Sequence, residues 1–155
     1  MTIDAMQTTM TEQERMELVD RHASAEMVQD WDGTWDTLDP EGSYDYFPLG
    51  IRISGREAMQ EHWRRLFGNP ALKDIADTVL TRWSREEDVV LVTQAPVSMP
   101  DGTVRYSVST ALFSFRGDKV FRESVFADDL LQPLLEQMFD EEFMQLPGVS
   151  RLSQF

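Results

Sequence analysis

The chain is 155 residues long and 41% hydrophobic, with nine Phe and four Trp, which is enough for one domain with an apolar core. Its 28 acidic residues outnumber 14 basic residues and give a formal net charge of −14, which repels nucleic-acid phosphates and anionic lipid headgroups. The lack of cysteine excludes disulfides, thiolate metal sites and cysteine nucleophiles. We therefore expect no nucleic-acid partner and no membrane partner.

We expect three segments: a flexible leader over residues 1–10, a single domain over 11–145 and a C-terminal tail over 146–155. The N-terminus lacks the basic start and the apolar run of a secretory signal. The apolar runs of the chain are far shorter than the roughly 20 residues that span a bilayer. These features favour a cytoplasmic protein.

The N-terminal part of the sequence has the features of helices. Thr11 and Glu14 fit a capping box, and apolar residues then recur at three- and four-residue spacing, which predicts an amphipathic helix. The residues of that stripe are Met16, Val19, Ala23, Met27 and Trp31. Residues 39–42 predict a break, 43–47 a strand, and Ser54 with Glu57 a second capping box that opens a helix ending at Gly68.

From residue 75 the pattern changes to alternating β-branched residues, which predicts four successive strands over 75–83, 89–97, 104–115 and 120–127. Short polar turns between them predict an antiparallel meander. An apolar stripe from Leu130 to Phe143 predicts a last helix, with Asp128 as its cap. The order of elements predicts an α+β domain, in which helices pack on one face of a curved antiparallel sheet and leave a pocket.

Three stretches, 30–35, 44–50 and 55–59, resemble the nuclear transport factor 2-like (NTF2-like) superfamily, and more narrowly its SnoaL-like polyketide cyclase branch. The resemblance extends from about Glu12 to Leu135. It implies a cone-shaped, cystatin-like roll in which the sheet wraps around the N-terminal helices, an apolar pocket, and a homodimer formed through the outer sheet face. Because this superfamily contains enzymes as well as noncatalytic modules, the fold alone does not assign an activity.

Comparison with individual members excludes some activities. Phe47 stands where ketosteroid isomerases carry their catalytic aspartate, and the last strand does not reproduce the catalytic set of limonene epoxide hydrolases. In several SnoaL-like proteins the last strand has a Glu-Arg-x-Tyr pattern that Glu123-Ser124-Val125-Phe126 resembles, which implies that Glu123 lies in the pocket.

Glu123 is the first candidate for catalysis. It alternates with Phe121 and Val125, so a strand would direct all three side chains to the apolar face. Burial raises the pKa of a carboxyl group and makes it a better general base near neutral pH. The alternative is a structural glutamate that pairs with an arginine such as Arg105.

The two histidines are the next candidates. His22 and Glu26 lie one helical turn apart and could form a proton relay, although the helical wheel turns His22 toward solvent and favours a surface pair. With Glu123 they could also bind a metal, but the spacing matches no metal motif, and we expect no metal and no cofactor. His62 lies partly on the apolar side of its helix, where the alternative is a core histidine.

Tyr46 and Asp45 point to opposite faces of one strand, and the sequence leaves open which of them points inward. An inward Tyr46 could donate a hydrogen bond to an enolate oxygen, whereas packing against Trp35 is the structural alternative. The residues that we expect to bind ligand are Asp45, Phe47, Trp35, Trp63, Tyr106, Phe113 and Val125.

The sequence thus predicts a cofactor-independent cyclase, isomerase or dehydratase that acts on a small apolar metabolite with a carbonyl or hydroxyl group. In this reading Glu123 removes a proton next to a carbonyl, and His62 or Tyr46 stabilises the resulting enolate. The alternatives are a noncatalytic module that binds a small ligand and a dimeric assembly module.

Overall fold

The computed structural model describes residues 8–72 and 78–153. The helices are α1 (Glu12–Met27), α2 (Trp31–Asp36), α3 (Arg56–Phe67), α4 (Gln132–Met138) and α5 (Glu141–Met144), with a 3₁₀ turn at Pro70–Leu72. The strands are β1 (Leu38–Phe47), β2 (Ile51–Ser54), β3 (Thr78–Arg85), β4 (Asp88–Ser98), β5 (Val104–Arg116), β6 (Lys119–Phe126) and β7 (Val149–Arg151). Among the described residues, no helix has the length and apolar character needed to span a bilayer.

The strands form one seven-stranded sheet in the order β3-β4-β5-β6-β1-β2-β7. Strands β3 to β6 form the predicted antiparallel meander, while β1 pairs parallel to β6. Helix α1 packs against β4 and β6, and α3 packs against β2. The α+β prediction of helices against one face of a curved sheet is confirmed, and the sheet is mixed.

The two predicted capping boxes have different outcomes. Thr11 accepts a hydrogen bond from the backbone N–H of Glu14, whose carboxylate accepts one from the N–H of Thr11, so the first box forms. The second does not form, because Gly55 rather than Ser54 is the N-cap of α3. Gly55 has a φ of 82°, a conformation that favours glycine, and it offers no side chain to cap the helix.

A bulge shared by β1 and β6 corrects two sequence predictions. Residues 39–42 lie inside β1 as an irregularity between Leu38 and Ser43, rather than breaking the chain. A Cβ at Gly42 would lie 2.6 Å from the carbonyl oxygen of Phe121, so only glycine fits this close approach. The β5–β6 register also shifts near Phe121, whose ring centroid lies 3.8 Å from the Arg116 guanidinium carbon. Phe121 therefore does not share the inward face of Glu123.

Both chain ends contribute to the sheet where they are described. Thr8, in the predicted leader, forms a bridge with Gly117, and residues 1–7 lie outside the described residues. The predicted tail contains β7, which pairs with β2. The predicted last helix is divided into α4 and α5, because Asp140 accepts a hydrogen bond from Phe143 N–H and caps a new helix. The predicted strand start at 75–77 also lies outside the described residues.

The two faces of the sheet differ in their environment. The inner face of β4, β5 and β6 meets the helices, whereas the outer face remains open to solvent. Large apolar side chains that are 40–61% exposed follow the outer side of the strands: Trp83, Val104, Tyr106, Val108 and Phe126. The inner face contains the candidate functional site.

Candidate active-site cavity

A cavity of about 90 Å³ lies between the helices and the inner face of the sheet. Its apolar wall is formed by Ala23, Leu66, Phe67, Leu91, Ala111, Phe113, Val125, Leu131 and Leu135. Its polar wall is formed by Glu26, Tyr44, Tyr46, His62, Thr93, Ser109 and Glu123. A mostly apolar cavity with a few converging polar groups is the usual form of a small-molecule site.

His22 lies beneath the polar wall, fully buried, and joins the two carboxylates. Its Nε2 lies 3.1 Å from Glu123 Oε2 and 3.2 Å from Glu26 Oε1. The hydroxyl of Tyr44 lies 2.9 Å from the same nitrogen and donates a 2.8 Å hydrogen bond to Glu26. One helix and two neighbouring strands thus bring one imidazole, two carboxylates and one phenol together.

The other ring nitrogen of His22 is oriented by Thr37. The Thr37 hydroxyl donates its proton to the Thr34 carbonyl at 2.6 Å, so its oxygen accepts the 2.7 Å hydrogen bond from His22 Nδ1–H. This contact fixes the ring and directs Nε2 at the carboxylates.

The pKa values of this cluster follow from its charges. Burial alone would lower the pKa of His22, but the negative charge of Glu26 and hydrogen bonds to Glu123 and Glu26 raise it to about 10. Burial would raise the pKa of Glu26, yet the charge of His22 and the hydrogen bonds from His22 and Tyr44 lower it. Burial and the negative charge of Glu26 raise the pKa of Glu123. His22 is therefore an imidazolium at neutral pH, and Glu123 is the carboxyl group that takes up a proton more readily.

His62 lies on the same wall but in a different environment. It is fully buried, its Nε2 is hydrogen-bonded to the Tyr46 hydroxyl, and its ring centroid lies 4.8 Å from that of Tyr44 and 6.0 Å from that of Phe139. Burial lowers the pKa of His62 to about 4, against a smaller opposing effect of Glu26. Burial also raises the pKa of Tyr46 well above its usual value, so this pair is neutral at neutral pH.

Several predicted site residues meet at the cavity. Those that line it are Glu123, Glu26, His62, Tyr46, Phe113 and Val125. The expectation that His22 turns toward solvent is wrong, because the buried face of α1 runs through Arg15, Leu18, Val19 and His22. Arg15 and His22 are polar, so a helical wheel based on hydrophobicity placed the inward face too close to Met27. Met27 is 38% exposed.

Asp45 and Tyr106 are among the predicted ligand-binding residues that lie on the outer face of the sheet. Asp45 is buried there by an ion pair with Arg52 at 2.6 Å, because Tyr44 and Tyr46 take the inward positions of β1. Tyr106 is 61% exposed, since it alternates with the inward residues Ser107 and Ser109 of β5. Glu123 also pairs with His22 rather than with Arg105.

Three other predicted ligand-binding residues lie outside the cavity lining. Phe47 stacks on Phe126, with ring centroids 5.1 Å apart. The Trp35 ring lies 5.6 Å from the Arg56 guanidinium carbon. Trp63 is fully buried behind the cavity, and its indole N–H donates a 3.1 Å hydrogen bond to the Tyr44 hydroxyl. Trp63 thus contacts the polar wall from behind, without lining the cavity.

Sequence reasoning missed Tyr44, Thr37 and the hydroxyl pair of Thr93 and Ser109. Tyr44 could have been found, because it has the same strand parity as Tyr46. Thr93 and Ser109 are neighbours on β4 and β5, and their side-chain oxygens lie 3.1 Å apart. That pairing depends on strand register, which the sequence pattern did not fix.

Three residues could together hold a metal ion: His22, Glu26 and Glu123. One nitrogen of the imidazole and one oxygen of each carboxylate lie within 4.8 Å of one another. One imidazole and two carboxylates are ligands that zinc accepts. The same three residues form a complete hydrogen-bonded set when His22 is protonated.

Comparison with solved structures identifies the fold. An NTF2-like protein from Burkholderia xenovorans LB400 superposes with a TM-score of 0.65 at 16% identity, over 78% of this chain and 94% of the other. The chain has the NTF2-like fold. A protein from Shewanella putrefaciens CN-32, named as a SnoaL-like polyketide cyclase, gives 0.63 at 10% identity over 81% of this chain and 86% of the other.

A third structure is a protein from Catenulispora acidiphila DSM 44928 with a ketosteroid isomerase-like fold, in complex with trimethylamine. It gives a TM-score of 0.57 at 15% identity over 70% of this chain and 83% of the other. No family model matches the sequence, and no curated protein matches it. These identities establish the fold and leave the chemistry to the residues of the cavity.

Proposed function

We propose that this protein is a cofactor-independent enzyme of the isomerase, cyclase or dehydratase type, which transfers a proton next to a carbonyl group of a small apolar metabolite. The observation that carries the proposal is the position of Glu123. Its carboxylate lines an apolar cavity and lies 3.1 Å from a buried imidazolium, a setting that tunes a carboxyl group for proton transfer.

The reaction begins with ionised Glu123, which removes a proton from the carbon beside the carbonyl group. The carbon–hydrogen electron pair forms a carbon–carbon double bond, the carbonyl π pair moves onto oxygen to give an enolate, and the carboxylate becomes a carboxylic acid. His62, hydrogen-bonded to Tyr46, supplies a neutral hydrogen-bond donor on the same wall. Return of the proton from Glu123 to another carbon completes an isomerisation and restores the carboxylate.

His22 and Glu26 stabilise both states of Glu123. Ionised Glu123 is stabilised by the imidazolium of His22, whose second carboxylate contact is Glu26 at 3.2 Å. When Glu123 takes up a proton, His22 and Glu26 remain as a neutral ion pair overall, so no uncompensated charge is left in the cavity. The ion pair of His22 and Glu26 therefore stays in place while Glu123 gains and loses its proton.

The cavity also limits the substrate. Its volume of about 90 Å³ is below the roughly 300–1,000 Å³ of drug-sized sites and favours a molecule of a few heavy atoms. Among the described residues, no lysine or arginine lines it, whereas Glu26 and Glu123 do. Carboxylate and phosphate ligands would meet negative charge without compensation, so a neutral carbonyl compound is the better fit.

The test is deuterium exchange into butanone in D₂O, followed as the loss of its α-proton signals. The wild-type protein is expected to accelerate exchange, and Glu123→Gln to reduce the protein-dependent rate by about 100-fold or more. Asp45→Asn is the matched control, because it neutralises a buried carboxylate outside the cavity lining. Equal exchange by wild type and Glu123→Gln contradicts the proposal, and so does a metal ion retained in native mass spectrometry.

A second candidate is noncatalytic binding of a small amine. Two carboxylates and several aromatic rings line the cavity, and a compact ammonium ion would be favoured by both. The trimethylamine complex of the fold neighbour is consistent with this alternative. Tight binding of trimethylamine without any ketone exchange would favour it.

For the outer face we propose a homodimer interface. Trp83, Val104, Tyr106, Val108 and Phe126 form an exposed apolar surface of the kind that marks contact sites. Tyr106→Asp is expected to shift the mass seen by analytical ultracentrifugation from dimer to monomer. A monomeric wild-type protein contradicts this proposal and leaves the cavity proposal untouched.

A further inference from the structure

His62 is hydrogen-bonded through one ring nitrogen and leaves the other without a partner. Its side chain is fully buried and lines the cavity, and Nδ1 has no hydrogen-bond partner among the residues that the structure describes. A buried polar atom without a partner destabilises the folded state, so such atoms in native proteins usually have a reason. Because His62 lines the cavity, a ligand bound there is the simplest partner for this nitrogen.

The hydrogen bond between His62 and Tyr46 determines whether Nδ1 of His62 is a hydrogen-bond donor or an acceptor. The tyrosine hydroxyl has one proton, and a neutral imidazole has one N–H and one bare nitrogen. If Tyr46 donates to Nε2, then Nδ1 carries the ring proton and is the single unsatisfied group of the pair. If Nε2–H donates instead, both the Tyr46 proton and the Nδ1 lone pair lack partners. The first arrangement leaves fewer buried groups unsatisfied and is therefore preferred.

We infer that Nδ1–H of His62 is a specificity-determining hydrogen-bond donor, which anchors an acceptor oxygen of the bound ligand, and that Tyr46 is the positioning residue that holds His62 in this tautomer. The inference rests on the proposed small-ligand cavity and names the ligand as a carbonyl compound. Both groups stay neutral, so the anchor supplies a hydrogen bond without a charge.

This assignment separates the two ligand classes. A ketone presents only acceptor lone pairs and complements an N–H donor. An ammonium ion presents N–H donors or methyl groups, neither of which complements an N–H donor at Nδ1. The tautomer of His62 therefore reports whether the cavity is built for a carbonyl oxygen or for an amine.

The first experiment reads the tautomer directly, without a ligand. The chain contains two histidines, so a protein labelled with ¹⁵N at histidine gives two imidazole patterns in a long-range ¹H–¹⁵N spectrum. At pH 7 we expect His62 to show a protonated Nδ1 and a bare Nε2, and Tyr46→Phe to change that pattern. A wild-type pattern with protonated Nε2 and bare Nδ1 overturns the inference.

The second experiment measures binding of [¹³C-carbonyl]butanone. Bound to the wild-type protein, the carbonyl signal is expected to move downfield, as a hydrogen-bonded carbonyl does. His62→Leu should remove this shift and weaken binding about 5- to 10-fold, which corresponds to one lost hydrogen bond. His62→Asn should retain part of both effects, because its amide can place an N–H near the former Nδ1.

The matched ligand control is 2-methyl-1-butene, in which a CH₂ group replaces the ketone oxygen. His62→Leu should leave its binding unchanged within about twofold, since no hydrogen bond is lost. Equal loss of binding for both ligands would show that His62 only shapes the cavity and would overturn the inference. Binding of trimethylamine in preference to butanone, or no butanone binding in the millimolar range, also overturns it.

The inference and the proposed function can fail separately. A His62-dependent carbonyl shift without deuterium exchange supports the anchor and contradicts the enzymatic proposal. Exchange that depends on Glu123 but shows no carbonyl shift and no effect of His62→Leu contradicts the anchor and leaves the enzymatic proposal in place.

Discussion

The two histidines of this protein are equally buried, but at neutral pH His22 is positively charged and His62 is neutral. His22 faces Glu26 and Glu123, and its pKa is raised to about 10. His62 lies among Tyr44, Tyr46 and Phe139, and its pKa is lowered to about 4. His62 lines the polar wall of the cavity, and His22 lies beneath that wall. The neighbouring groups, rather than burial itself, determine whether a buried imidazole is charged.

Because the two histidines differ in charge, we assign different roles to the groups around them. The charged cluster can exchange a proton with a substrate at Glu123, whereas the neutral pair can hold an oxygen without competing for that proton. Two imidazolium ions in the same space would repel each other, and two neutral imidazoles would leave the carboxylates uncompensated.

The largest expected effect comes from removing the charged histidine. His22→Leu leaves Glu26 and Glu123 buried without a cation, and this should lower the free energy of unfolding by about 3–5 kcal/mol at pH 7. His62→Leu removes a neutral ring and one hydrogen bond and should cost clearly less. Urea denaturation of both variants measures the difference.

A combined variant serves as the control. Adding Glu26→Gln and Glu123→Gln to His22→Leu removes the uncompensated charge and should restore part of the lost stability. Equal destabilisation by the two single histidine variants would contradict the assigned charge states.

The pH dependence of stability should have opposite signs for the two histidines. The folded pKa of His22 lies above the unfolded value of about 6.5, so its stabilisation is fully present below that pH and is lost as the pH rises toward 10. The folded pKa of His62 lies below the unfolded value, so the unfolded chain binds the extra proton and stability falls from pH 6.5 toward pH 4.

Each limb has an upper limit of about 1.4 kcal/mol per unit of difference between the folded and unfolded pKa. His22→Gln should flatten the alkaline limb, and His62→Gln the acid limb, in denaturant unfolding repeated from pH 4 to pH 10. An alkaline limb that persists in His22→Gln would assign it to another group.

The next smaller effect is that of the Glu26 charge on the pKa of Glu123. Glu26→Gln removes the negative charge that raises the pKa of Glu123, so ionised Glu123 should persist to lower pH. The acid limb of the butanone exchange profile should then move down by about one pH unit. An unchanged acid limb would mean that Glu26 does not set the pKa of the base.

The smallest expected effect is that of Thr37→Val, which removes the acceptor of His22 Nδ1–H while nearly conserving shape. One buried N–H is left without a partner, at a cost of about 1–3 kcal/mol. Thr93→Val is a comparison, because its hydroxyl bonds to Ser109 and not to a charged ring. Thermal unfolding should show the larger loss for Thr37→Val.

The sequence predicted the layered α+β architecture, the β3–β6 meander and the inward direction of Glu123, because these depend on local periodicity. It did not predict the buried face of α1, since Arg15 and His22 are buried by hydrogen bonds that a hydrophobic pattern does not register. The prediction that Phe121 shares the inward face of Glu123 is wrong, because a strand pattern of period two does not reveal a bulge. The inward position of Glu123 was thus predicted from one strand, whereas the contact between His22 and Glu123 was missed because it joins two distant elements.

The most direct test of these charge states is an NMR titration of the two imidazole rings in histidine-labelled protein. Between pH 5 and pH 9 we expect one ring, assigned to His22 by its loss in His22→Gln, to remain protonated on both nitrogens. We expect the other ring, assigned by its loss in His62→Gln, to remain neutral throughout. A His22 ring that loses its proton near pH 6.5, or a His62 ring that gains one there, would contradict the assignment of a charged cluster at His22 and a neutral pair at His62.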